Sequence, residues 1–195
     1  MTSPEEAFVR HWLTLPDRPD VEEDELPLFM DWLARSGPDE WHRWATSWNW
    51  DHGTDLIAWV IGQEGCDRGT ALSVYYLAQP DFYAEFDTLD AARAQAGPDD
   101  DIVDLMVAIC GNWAAGLYRD YAFEPDFVPL EYMAQGETAM RALAGRVPWE
   151  VPDGLAAAPI QGVPNRFERS IDGVPLAMLQ AKKACGLEPD GPDYR

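Results

Sequence analysis

The chain has 195 residues, 47% of them hydrophobic and 12% aromatic. A chain of this length can bury about 70% of its unfolded surface, so one domain can hold together without disulfides or metals. Acidic residues outnumber basic ones by 35 to 14, for a formal net charge of −21. Such a field repels phosphate backbones and anionic lipid, which disfavours nucleic-acid and membrane-surface binding, and it steers basic partners inward.

The first helix is expected to open at Ser3-Pro4, with Ser3 and Glu6 forming a Ser-x-x-Glu capping box. Phe8, Trp12 and Leu15 follow at helical spacing until Pro16 stops them. The acidic stretch Asp17 to Asp24 reads as a loop. Helices are expected over about Leu26–Ser36, Pro38–Trp48, Asp55–Gln63, Thr70–Gln79, Thr88–Ala96 and Asp101–Asp120. In the third of the chain's helices, Trp41, Trp44 and Trp48 form one indole stripe, which is a core face. Asp99 to Asp101 place negative charge at the positive end of the longest helix. A further helix is expected over Glu131–Arg146, broken at Gly136.

From Val147 to Pro175 five prolines interrupt every helical pattern. This segment reads as an irregular arm, with a short strand pair turning at Asp172-Gly173. Leu176–Cys185 reads as a last helix. The expected fold is therefore mostly all-α, a single domain over 1–195 of about seven to nine helices, with the arm 147–175 within it.

The motifs that would signal catalysis are missing. There is no Walker A loop, Gly-x-Gly-x-x-Gly, Gly-x-Ser-x-Gly or His-Glu-x-x-His. His11, His42 and His52 lie on separate segments, and none pairs at i, i+4, so no metal is expected. Cys66, Cys110 and Cys185 are odd in number and without a Cys-x-x-Cys, which excludes a disulfide framework. Cys66 precedes a helix N-terminus, where a thiolate would be favoured, but Asp67 beside it opposes ionisation. No cofactor is expected. The N-terminus has no basic, apolar leader and no stretch is long enough to span a membrane, so the expected compartment is the cytoplasm.

Two segments stand apart: Asn49-Trp50-Asp51-His52-Gly53, and Cys66-Asp67-Arg68-Gly69-Thr70-Ala71-Leu72 with Tyr75-Tyr76 after it. Together they resemble the signature of an uncharacterised bacterial family known only as a domain of unknown function. The likeness runs from about Trp41 to Tyr83. It departs from the family at Gln79-Pro80-Asp81-Phe82-Tyr83, where an Asp-Gly-Tyr type turn is usual. The resemblance implies a helical fold and, because similar proteins occur near toxin and secretion genes, an immunity or accessory role.

Physically, both segments read as joints. Asn49 and Asp51 suit a turn, and Gly53 supplies a positive φ. Asp67 suits a helix N-cap, Gly69 permits a close approach, and Thr70 opens the helix. The expected function is that of an acidic helical binding protein, an immunity protein for a basic secreted toxin. Glu22, Glu23, Asp24, Glu25 and Trp149 are the expected partner-binding residues. Two other functions are consistent with the sequence: a hydrolytic enzyme using Asp51, His52 and Asp67, and a non-catalytic scaffold of a salt-adapted bacterium.

Overall fold

The computed structural model describes residues 2–20, 24–96, 101–120, 123, 137–156 and 170–187. The fold is mostly helical, with a single two-stranded sheet among the described residues. The chain divides into two compact units, Met1–Asn49 with Phe167–Arg195, and Trp50–Arg166. Composition does not mark this division. The boundary falls inside the Asn-Trp-Asp segment itself.

The first unit contains α1 (Pro4–Trp12), α2 (Leu26–Ala34), α3 (Pro38–Ser47), the strands β1 (Ser170–Ile171) and β2 (Val174–Pro175), and α11 (Leu176–Ala184). The Ser3 hydroxyl accepts from the Glu6 amide at 3.1 Å, and Pro4, Pro27 and Pro38 each sit in a first helical turn. Two of the three indoles in the expected stripe are core, and Trp41 is half-buried. Trp44 and Trp48 are buried, and both pack on Phe29, with ring centroids 5.0 and 6.1 Å apart. A buried indole must still find an acceptor for its N–H. Carboxylates supply two of these acceptors: Trp12 donates to Asp31, and Trp32 and Trp44 both donate to Glu40, all at 2.8 Å. Trp41 donates to the Leu33 carbonyl at 2.8 Å.

The C-terminal elements complete this unit. α11 packs along α1 through Met178, Leu179 and Ala181. Its Lys182 is buried, with the ammonium 2.5 Å from Glu25 and 5.8 Å from the centre of the Phe29 ring. The hairpin pairs Ser170 with Pro175 and Ile171 with Val174, antiparallel. Its turn is where the sequence places it: Asp172 and Gly173 have φ of 52° and 82°, the left-handed pair of a type I′ turn. The turn abuts the end of α3. Asn49 donates through Nδ2 to Asp172 at 2.6 Å, and a Cβ on Gly173 would lie 2.1 Å from the Asn49 nitrogen.

The second unit holds a 3₁₀ turn (Trp50–His52), α4 (Asp55–Ile61), α5 (Arg68–Leu77), α6 (Pro80–Tyr83), α7 (Leu89–Ala96), α8 (Ile102–Ala114), α9 (Glu137–Ala144) and α10 (Asp153–Ala156). α8 is central, packing on α5, α7 and α10. It ends earlier than its apolar pattern suggests. Ala115 caps it, Gly116 turns left-handed with φ 70°, and the residues after it leave to form a backbone bridge. α6 and α10 were not expected from the sequence. Each is a four-residue turn next to a proline, too short to show periodicity. Of the helix expected over Glu131–Arg146, residues 131–136 lie outside the described residues. Much of the arm, residues 157–169, does so too. Its described part is partly core: Val147, Trp149 and Leu155 are buried.

Among the described residues no helix is long and apolar enough to cross a membrane.

Two glycines are expected to respond in opposite directions. Gly173→Ala combines a positive φ with a backbone clash and is expected to destabilise the first unit by at least about 2 kcal/mol. Gly111 lies exposed inside α8 with open space around it. Gly111→Ala is expected to stabilise by about 0.5–1 kcal/mol. Urea unfolding followed by circular dichroism measures both.

Candidate functional site

The first signature segment turns tightly. The Gly53 amide donates to the Trp50 carbonyl at 3.0 Å, and Gly53 has φ of 87°. This is the positive φ its composition predicts. Asp51 and His52 are exposed.

The second segment is internal. Asp67 is 1% exposed, has extended backbone, and accepts from the Gly69 amide at 2.6 Å. It is the N-cap of α5, and a carboxylate there satisfies an orphan amide and faces the positive end of the helix. The residues on either side of Asp67 are tied across the fold. Arg68 donates its amide to the Arg119 carbonyl, and Arg119 donates its amide to the Cys66 carbonyl, both at 2.9 Å. This parallel bridge joins the start of α5 to the chain leaving α8. Gly69 completes the joint, since a Cβ there would lie 2.3 Å from the Phe123 carbonyl oxygen and 2.8 Å from Asp67 Oδ1. Thr70 is fully buried behind it.

Asp51, His52 and Asp67 therefore do not share one environment. Asp67 is internal and engaged with α5, whereas Asp51 and His52 face solvent. Cys66 is buried, and burial first, with Asp67 adding to it, pushes its thiol far above the ordinary range. Burial also pushes the Cys110 thiol up to about 12 and raises the Tyr118 hydroxyl. A thiol held neutral is a poor nucleophile. His42 is buried in α3, whereas His11 and His52 are exposed. No group of three or more metal-ligating side chains gathers among the described residues.

The residues expected to meet a partner are also placed. Asp24 is exposed and accepts from the Leu26 amide at 2.9 Å, helping to start α2. Glu25 is engaged with Lys182. Glu22 and Glu23 lie outside the described residues. Trp149 is 9% exposed, so its indole belongs to the interior of the second unit and is not a surface anchor.

A feature that sequence reasoning missed lies between α4 and α8. An open groove of about 300 Å³ runs there, with Ala58, Ile61, Leu105 and Ala108 on its apolar lining and Asp55, Asp101 and Asp104 among its polar residues. All three carboxylates belong to exposed residues. Asp104 also holds Arg93 at 2.5 Å. Asn112 closes one part of the groove by donating to the Ile61 carbonyl at 3.2 Å. Asp55 and Asp104 lie far apart in the chain, so only the packing of α4 near α8 brings them together. The sole hint in the sequence was the carboxylate run before α8, which reads equally well as dipole compensation.

These features define a helical protein with braced signature loops and an acidic, apolar-floored groove. A family model described as "Domain of unknown function (DUF4274)" matches residues 36–107, a stretch that runs from the start of α3 into α8 and includes both signature segments. No curated protein and no solved structure matches the chain.

The joint at Asp67 predicts a graded response. Gly69→Ala, whose added methyl meets the Phe123 backbone, is expected to cost more than about 3 kcal/mol. Asp67→Ala is expected to cost about 1–2 kcal/mol for the lost cap. Thermal or urea melts of the two variants check the order.

The buried thiols predict both reactivity and pH dependence. Cys185, which is half-buried, is expected to react with a thiol reagent in the folded protein, whereas Cys66 and Cys110 react only on unfolding. Because the two thiols stay neutral in the fold, their contribution is complete below the ordinary value of 9.0 and is lost as pH rises toward about 12. Unfolding free energy measured from pH 8 upward, on an approximately unit-spaced series, is expected to fall across that window.

Proposed function

We propose that the protein is an acidic binding protein that captures a basic protein partner, in the manner of an immunity protein neutralising a secreted bacterial toxin. The observation that carries this reading is the groove between α4 and α8. Its apolar floor can take the stem of a long side chain, while Asp55, Asp101 and Asp104 can meet a cationic head. A volume near 300 Å³ is at the small end for ligand sites and suits one or two side chains better than a large cofactor. The net charge of −21 would steer such a partner from a distance. The internal role of Asp67 supports the reading further, because the least surface-exposed carboxylate of the signature already serves the fold.

Co-expression with the product of the adjacent gene, followed by pull-down and a salt series, tests it. A complex is expected whose affinity falls about tenfold or more as salt is raised. Ala108→Trp, which fills the groove, and the double variant Asp55→Asn with Asp101→Asn are each expected to weaken it about tenfold. Absence of a complex with any adjacent-gene product would remove the proposal, as would a complex indifferent to both salt and Ala108→Trp.

A further inference from the structure

Outside the lining of the groove, the same unit carries an arrangement the proposed function does not use. Phe82 is 45% exposed, the most exposed aromatic side chain among the described residues. It is not a loose side chain. Its ring lies 5.0 Å from Tyr83, edge-on at 87°, and 5.9 Å from Phe86 at 65°, and Tyr83 is itself buried.

The backbone beneath is set up to present this ring. Gln79 has φ of 55° and ψ of 58°, a left-handed conformation uncommon for a residue with a side chain. It turns the chain sharply out of α5 and into the single turn of α6, whose first residue, Pro80, is buried. A strained residue of this kind persists only where the surroundings hold it. The chain carries three exposed carboxylates within five residues of Phe82, namely Asp81, Glu85 and Asp87. None of the three forms an ion pair among the described residues.

An exposed aromatic ring packed on two others, with three carboxylates close by in the chain and in no ion pair among the described residues, has a definite chemical complement. A purely apolar partner would have to desolvate the carboxylates, and an ammonium is small and strongly hydrated. A guanidinium can lie flat on an aromatic ring and direct its N–H groups to nearby carboxylates. We propose that the Phe82 knuckle is an arginine-docking surface, the contact through which a basic protein partner is distinguished from one that is merely lysine-rich. The inference rests on the basic-partner reading above but concerns a separate surface, and it adds a preference that the groove does not imply.

Two fluorescein-labelled dodecapeptides test it on the full chain, one alternating arginine with glycine and the other lysine with glycine. Fluorescence anisotropy at physiological salt is expected to show the arginine peptide binding about fivefold tighter. Phe82→Leu keeps an apolar side chain against Tyr83 and Phe86 but removes the ring. It is expected to leave the melting temperature near that of the parent and to erase the preference, whereas Phe82→Tyr keeps it. Ala108→Trp is expected to leave the arginine-to-lysine ratio unchanged. Equal affinity for the two peptides, or an unaltered preference in Phe82→Leu, would overturn the knuckle assignment while leaving capture of a basic adjacent-gene product standing. No binding of either peptide by the parent chain, together with no complex in the pull-down, would overturn both.

Discussion

A buried carboxylate at the start of a helix organises the second unit. Asp67 takes the amide of Gly69, and its two neighbours exchange backbone hydrogen bonds with Arg119. That joint works only if the chain can approach closely, which is why Gly69 faces a carbonyl oxygen with no space for a methyl group. A polar group in an interior is costly unless it is hydrogen-bonded. Here the helix terminus supplies both the donor and the favourable potential. The position of α5 follows, and so does the register of α8 against it. The groove between α4 and α8 depends in turn on where α8 is held.

The same economy governs part of the large acidic excess. Asp31 and Glu40 serve as acceptors for buried or half-buried indoles, Glu25 neutralises an internal lysine, and Asp67 caps a helix. These four acids are structural. In a tryptophan-rich interior, acids are suitable acceptors because each oxygen can receive an indole N–H without presenting a donor of its own. Glu40 does this for two indoles at once. Among the many carboxylates that remain outside, Asp55, Asp101 and Asp104 line the groove, and Asp81, Glu85 and Asp87 lie close to Phe82 in the chain. Net charge therefore overstates the surface available for recognition and understates how unevenly that surface is used.

Much of the secondary structure could be read directly. Ser3, Pro4, Pro38 and Asp67 announced helix starts, Asp172-Gly173 announced a hairpin turn, and the spacing of Trp44 and Trp48 announced a core face. All of these are signals between residues close in sequence, where short-range sterics and hydrogen bonds decide the outcome. The early end of α8 and the short helices at Pro80 and Asp153 were not legible. Helices of one turn leave no periodic trace, and a left-handed residue such as Gln79 is not coded by its side chain. Trp149 illustrates a different failure. Its proline-rich surroundings suggest exposure, yet its ring is large enough to be drawn into the core by burial.

The candidate sites divide along the same line. By itself the sequence determined a mostly helical, strongly acidic chain in which Asp67 caps a helix and Gly53 and Gly173 occupy turns, because each of these follows from bonds and contacts spanning a few residues. Only the tertiary structure decided that the chain forms two compact units, that Asp55 and Asp104 line one groove, and that Phe82 stands outside while Trp149 does not. Those outcomes depend on which helix faces packed together. That choice is set by the summed burial of many residues far apart in the chain, a quantity no local pattern contains.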